Sequence, residues 1–189
     1  MRCIHYRVFL PKDTFSYHSN YWSNKNLFSE ISGATGFDHE ETKMPSYWSN
    51  NFTQICLGMR VGDVTEWLTI DRQARSLHSL IADNKHKPTS LGRDKWKSLI
   101  DESSLKLECN MEGFNTKSPT ASDDSAFTRI GIISNNEEHC NSCNSRIGFG
   151  SGGTRGGMDG NNSCGNEAGS LKSDNGAKHI KAHCYVLIK

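Results

Sequence analysis

The cysteines carry the most distinctive chemistry in this chain of 189 residues. There are seven of them, and in an oxidising compartment six could form three disulfides while one stays free or pairs outside the chain. In the cytosol the same number would indicate metal binding or redox chemistry. Sequence alone does not fix the connectivity, and we take Cys109–Cys140 and Cys143–Cys164 as working pairs.

A CxxC motif runs from Cys140 to Cys143. A thioredoxin-type redox centre places this motif at the start of a helix, but the residues that follow here are rich in glycine. Zinc is an alternative, because the chain offers four ligands at a spacing that allows tetrahedral binding. They are His139, Cys140, Cys143 and Cys164. Since no second CxxC accompanies the first, we favour disulfides.

Nine glycines fall within residues 148–169. Residues 148–153 match GxGxxG, but no helical period follows to hold a pyrophosphate, so the pattern does not predict a nucleotide site. We expect a long loop tied at its base by the Cys143–Cys164 bridge. Oxygen-bearing side chains are frequent in and around it, and such oxygens are the ligands that calcium prefers. We therefore predict a weak cation site with Asp159, Asn161 and Asn166, the alternative being ordinary solvated turns.

Enzyme signatures are weak in this sequence. Neither a GxSxG motif nor another marked nucleophile turn is present, and only His139 and His183 of the eight histidines adjoin other candidate ligands. His183 alternates along an apolar segment, which indicates a core or edge position. We predict that the protein is not an enzyme.

The elements that must position these residues are mostly strands. Period-two or continuous apolar patterns predict a β-dominated α+β domain with long loops and one or two short helices. Residues 93–100 carry the best helical pattern, with three apolar side chains on one face. Strands are predicted at residues 3–10, 52–61, 66–71, 76–82, 105–109, 128–133, 146–149 and 180–188, the third and fourth as a pair.

Eight aromatic residues stud the polar segment 11–50. We expect their rings to fix long loops onto the core, the alternative being a surface that stacks sugars.

Composition excludes some partners and favours one compartment. The net charge of +1 gives no excess for phosphate contacts, which argues against nucleic-acid binding, and no apolar run is long enough for membrane insertion. Asn51 and Asn161 each begin an N-x-S/T glycosylation triplet, and with the cysteines they indicate a secreted glycoprotein. Residues 1–10 lack the apolar core of a signal peptide, so we expect a single domain, residues 1–189, from the C-terminal end of a longer secreted chain.

Nearly the whole sequence resembles secreted domains of corals, anemones and other marine invertebrates. More distantly, its end resembles fibrinogen-related domains and intelectin-type lectins, which carry Glu-His-Cys, a glycine-rich loop, Cys-Gly and a final apolar strand. Here these features are Glu138 to Cys140 and Cys164 to Asn166. The segments that carry the first resemblance are 37–48, 55–59, 89–92, 96–99, 129–132, 140–150, 163–166 and 180–188.

The second resemblance implies calcium-dependent glycan binding, with His139 and Asn166 as ligand candidates. Glu138 is a further candidate, as one of the oxygen-bearing side chains near the loop. The chain departs from intelectins where they place a second carboxylate, since Gly150 stands there, and it has no aromatic residue between Phe149 and Tyr185. We therefore expect a fibrinogen-related, disulfide-stapled fold and a non-enzymatic role in extracellular matrix recognition or cell adhesion. The partner would be a glycan or a matrix protein. A calcium-dependent, lectin-like domain and an intracellular zinc-stabilised protein are the alternatives.

Overall fold

Two antiparallel sheets make up most of this protein. The computed structural model describes residues 13–33, 40–120 and 122–189, and within them nine strands and four short α-helices form. The strands are β1 Phe52–Val61, β2 Val64–Ala74, β3 Lys87–Pro88, β4 Glu108–Lys117, β5 Phe127–Asn135, β6 Ser145–Gly152, β7 Cys164–Ala168, β8 Lys178–Lys181 and β9 His183–Ile188. The helices are α1 Glu30–Gly33, α2 Ser46–Ser49, α3 Leu77–Ile81 and α4 Arg93–Lys97.

The smaller sheet has the strand order β2-β1-β9. Strand β1 has the predicted bounds, and Ile55, Leu57 and Met59 alternate into the core. Gly58 lies on the other face between Trp67 and Tyr185, whose rings stack with centroids 5.8 Å apart. A Cβ atom at Gly58 would stand 2.6 Å from the Trp67 ring, so only glycine fits this position.

The larger sheet has the order β3-β4-β5-β6-β7-β8. Side chains from both sheets, such as Leu57 and Ile130, meet in one large hydrophobic cluster. The predicted β-dominated fold class is confirmed. Strands were also correctly predicted at β2, β5 and β6, although all three are longer. The strand predicted at 105–109 overlaps only the start of β4, because most of β4 is polar and is recruited by pairing with β5. The strand predicted at 3–10 lies outside the described residues.

The predicted final strand 180–188 is two strands that belong to different sheets. Strand β8 pairs with β7, and β9 pairs with β1. The chain crosses at Ala182, whose N–H donates to the carbonyl of Cys164 at 3.0 Å. The change from an alternating to a continuous apolar pattern marks this crossing, because β9 is buried on both faces and β8 is half-exposed.

Helix α3 replaces the strand predicted at 76–82. Ser76 caps it: its hydroxyl accepts from the N–H of Ser79 at 3.1 Å, and the Ser79 hydroxyl accepts from the N–H of Ser76 at 3.2 Å. Leu77, Leu80 and Ile81 then follow helical spacing and are buried. The capping box therefore outweighs the short apolar run. The helix predicted at 93–100 forms as α4, but it ends at Lys97.

The aromatic side chains of the segment before β1 pack as predicted where they are described. Phe15, Trp22 and Tyr47 are buried in the main core. The ammonium group of Lys43 lies among them, 4.9 Å from the Tyr47 ring centroid, and donates to the carbonyl of Tyr21 at 2.6 Å. Burial lowers the pKa of Lys43 to about 8. The aromatic segment before β1 is thus packed around the buried ammonium group of Lys43.

Candidate functional site

The disulfides differ in part from the working pairs. Cys109 bonds to Cys140, as expected, but the Cys143–Cys164 pair is wrong. Cys164 bonds to Cys184, and Cys143 is a free, buried thiol. The reason is topological: Cys164 and Cys184 face the main core from β7 and β9, whereas Cys143 belongs to a second apolar cluster. Cys56, the remaining described cysteine, is disulfide-bonded as well.

The four ligands proposed for zinc are not brought together. Cys164 lies in the main core, and the His139 side chain is 57% exposed beside Glu137, with Nε2 3.1 Å from the carboxylate. Cys109 takes their place next to Cys140 and Cys143. These three sulfur atoms form the one group of Cys, His, Asp or Glu ligand atoms, among the described residues, in which at least three atoms lie within 4.8 Å of one another.

The glycine-rich stretch is shorter as a loop than predicted, because β6 and β7 take its two ends and leave residues 153–163. Arg146 of β6 is buried beneath it. Its guanidinium donates to the carbonyl oxygens of Gly153 at 2.9 Å, Asp159 at 2.6 Å and Asn162 at 3.2 Å. Burial lowers the pKa of Arg146 to about 10, so it stays charged at neutral pH. The guanidinium of Arg146 thus holds three carbonyl groups of the loop around one positive charge.

Glu167 of β7 supplies the balancing negative charge and is also buried. Its carboxylate accepts from the N–H of Asp159 at 2.8 Å and from the amide of Asn162 at 2.7 Å. Nδ1 of His179 lies 2.6 Å from the same carboxylate. Arg146 and Glu167 therefore order the loop from below through paired buried charges, which is the usual way that a protein tolerates them.

The residues predicted to bind calcium do not provide a fitting donor set. Asp159 accepts from Lys181 at 3.1 Å and from the N–H of Asn161 at 2.9 Å. Asn166 is fully buried in β7, where its Oδ1 accepts from the N–H of Ser104 at 2.8 Å. Glu138 and His139 are exposed in the connection between β5 and β6. The carboxylate of Asp159 and the amide oxygen of Asn166 are therefore already engaged by protein donors.

The two glycosylation triplets lie at the surface. Asn51 is exposed immediately before β1, and Asn161 is exposed in the glycine-rich loop.

An open groove of about 740 Å³ lies between the β1–β2 hairpin, residues 97–103 and residues 174–175. Met59, Leu99 and Ile100 form a buried apolar floor. Val61 and Val64 stand at its rim, and Val64 is 60% exposed. The other lining residues are Glu66, Lys97, Ser98, Asp101, Glu102, Ser103, Asp174 and Asn175.

Carboxylates dominate the charge of this groove. Asp174 pairs with Lys97 at 2.5 Å, and Glu102 pairs with Lys178 at 3.2 Å. Glu66 and Asp101 are exposed and form no ion pair within the described part of the chain. The groove therefore combines an apolar floor with unneutralised negative charge, and it suits a ligand that is both basic and apolar.

Local sequence patterns do not predict this groove, because its walls come from three segments that are far apart along the chain. The hairpin at 59–66, the turn at 97–103 and residues 174–175 meet only after the sheets have formed. The one local signal is the run Asp101-Glu102 after an apolar helix face.

In the part of the chain that the structure describes, no helix has both the length and the apolar character needed to cross a bilayer. Comparisons with protein-family models, with curated proteins and with solved structures found no match to this chain.

Proposed function

We propose that this protein is a non-enzymatic extracellular recognition module that binds a basic segment of a matrix protein. The observation that carries the proposal is the groove between the β1–β2 hairpin and residues 97–103, with its apolar floor and the unpaired carboxylates of Glu66 and Asp101. A segment with alternating Lys or Arg and aliphatic side chains matches both properties, since its apolar face fills the floor and its basic face meets the carboxylates of Glu66 and Asp101.

The rest of the molecule supports a secreted role. Its disulfides are compatible with an oxidising compartment. Exposed Asn51 and Asn161 would carry glycans away from the groove walls. The resemblance to secreted invertebrate domains and to fibrinogen-related domains agrees with this role.

Calcium-dependent carbohydrate binding has less support. Asp159 and Asn166 already accept protein hydrogen bonds, and Arg146 gathers the loop carbonyls that a calcium ion could have used. A glycan partner for the groove is therefore the weaker form of the proposal.

A charge-reversal experiment tests the groove. A fluorescent peptide that alternates Lys and Leu should bind the disulfide-bonded protein, and Glu66→Lys with Asp101→Lys should weaken binding at least tenfold, about 1.4 kcal/mol. Binding should also weaken as salt rises, because both carboxylates are exposed. Fluorescence anisotropy measures both effects.

The matched control reverses two exposed acids outside the groove. Asp123→Lys with Glu138→Lys makes the same change in net charge and should retain most of the affinity. The proposal fails if the two double variants lose affinity equally, or if a peptide that alternates Glu and Leu binds as well. Self-association on gel filtration that is abolished by the groove variants would instead assign the groove to a second copy of the chain.

A further inference from the structure

Three sulfur atoms meet on the side of the larger sheet away from the main core. Cys109 and Cys140 are bonded, and the sulfur of the free thiol Cys143 lies within 4.8 Å of both. The Cys143 side chain is fully buried with Ala126, Ile133 and Met158, whereas Cys109 and Cys140 are only half-buried. A thiol and a disulfide at this distance are reactants for exchange.

The backbone at Cys109 favours one direction for that exchange. Cys109 sits in a bulge of β4, where the pairing register with β5 shifts between Glu108 and Asn110. Its φ is +32°, a left-handed conformation that is unfavourable for a residue with a side chain. Attack on Sγ of Cys140 frees Cys109 and lets this backbone relax, whereas attack on Sγ of Cys109 would keep Cys109 in a disulfide, with Cys143.

We propose that the trio of Cys109, Cys140 and Cys143 is a latent site for covalent attachment through a mixed disulfide at Cys109. The Cys143 thiol loses its proton to water, and the resulting thiolate attacks Sγ of Cys140. A Cys140–Cys143 bond forms, the Cys109–Cys140 bond breaks, and Cys109 leaves as a thiolate. That thiolate then attacks an external disulfide, forming a Cys109 mixed disulfide and releasing one thiolate of the external molecule. The external disulfide is the only oxidant needed: the total number of disulfide bonds is unchanged, and one external thiolate is released.

The exchange carries the reactive sulfur from a buried to an accessible position. In the resting form burial raises the pKa of Cys143, so the thiol is protonated and protected. After exchange the free sulfur stands on β4, next to exposed Glu108 and Asn110. A secreted module could in this way be joined covalently to a disulfide-containing partner while the number of its internal disulfide bonds stays the same.

Oxidised glutathione is the probe for the test. Native protein incubated with it should gain one glutathione at Cys109 and a Cys140–Cys143 bond, mapped by mass spectrometry of unreduced peptides. The rate should rise about tenfold per pH unit while the thiol is mainly protonated. Cys143→Ser keeps the Cys109–Cys140 bond and should form the adduct at least tenfold more slowly.

A second variant tests the alternative bond directly. Cys109→Ser should fold with Cys140 joined to Cys143 and no titratable thiol, while the Cys164–Cys184 bond stays intact. An adduct on Cys143 or Cys140, no adduct at all, or two free thiols in Cys109→Ser would each overturn the proposal. One zinc ion per chain held by a reduced trio in the purified protein would overturn it in favour of a metal site.

Discussion

At the residue scale, the buried guanidinium of Arg146 explains how eleven loop residues with several glycines can stay ordered. It binds the carbonyls of Gly153, Asp159 and Asn162 above the carboxylate of Glu167. Arg146→Met leaves these buried carbonyls without their donor and removes the buried positive charge that offsets Glu167, so we expect a loss of about 3–5 kcal/mol in the free energy of unfolding. Urea denaturation measures it.

Two further arginine changes calibrate this prediction. Arg146→Lys keeps the positive charge but loses the planar guanidinium group with its several donors. We expect its free energy of unfolding to lie between those of wild type and Arg146→Met. Arg155→Met removes an exposed arginine from the same loop, paired with Asp124 at 3.3 Å, and should cost no more than about 1 kcal/mol. Equal stability of Arg146→Met and Arg155→Met would show that the buried guanidinium does not order the loop.

At the element scale, β4 positions the segment that leads into α4 through one carboxylate. Glu112 accepts from the Thr89 hydroxyl at 2.5 Å, the N–H groups of Leu91 at 3.0 Å and Gly92 at 2.8 Å, and the Trp96 indole at 2.8 Å. Burial opposes ionisation, but these bonds hold the pKa of Glu112 below its usual range.

We expect Glu112→Ala to destabilise the protein by about 3 kcal/mol, because it leaves the buried Trp96 indole and the half-buried donors of Thr89 and Leu91 without their acceptor. Amide hydrogen exchange over residues 89–97 should accelerate more than exchange in β9. Glu108→Ala, on the exposed end of the same strand, is the control. It should change neither the free energy of unfolding nor the exchange rate of residues 89–97. Unchanged exchange in residues 89–97 of Glu112→Ala would mean that α4 is positioned by packing of Trp96 alone.

At the scale of the whole molecule, the Cys164–Cys184 bond joins the two sheets across the main core. It closes a chain segment with a sequence separation of 20, which the loop-entropy treatment values at about 3 kcal/mol. Replacing both cysteines by alanine should therefore lower the free energy of unfolding by about that amount, measured by urea denaturation under non-reducing conditions.

Cys143→Ala is the matched control, because it removes a buried sulfur without removing a bond. We expect it to cost about 1 kcal/mol. If the double variant is no less stable than Cys143→Ala, the sheets are held by packing and the disulfide contributes little.

The sequence determined those features that depend on local pattern. The alternation of β1 and the aromatic residues of the turn-rich segment predicted what formed. The apolar face of Trp96, Leu99 and Ile100 predicted α4, although the helix ends before the last two residues. At residues 76–82 the apolar run predicted a strand, whereas the Ser76 capping box, also local, gives a helix.

Only the tertiary structure decided which distant residues meet. The partner of Cys164 depends on the crossing at Ala182, which brings β9 beside β7, and no pattern within either strand specifies that. The groove likewise exists because the β1–β2 hairpin stands next to residues 97–103. Disulfide pairing, buried charges and binding surfaces depend on three-dimensional proximity across the core, whereas secondary structure depends on neighbours along the chain.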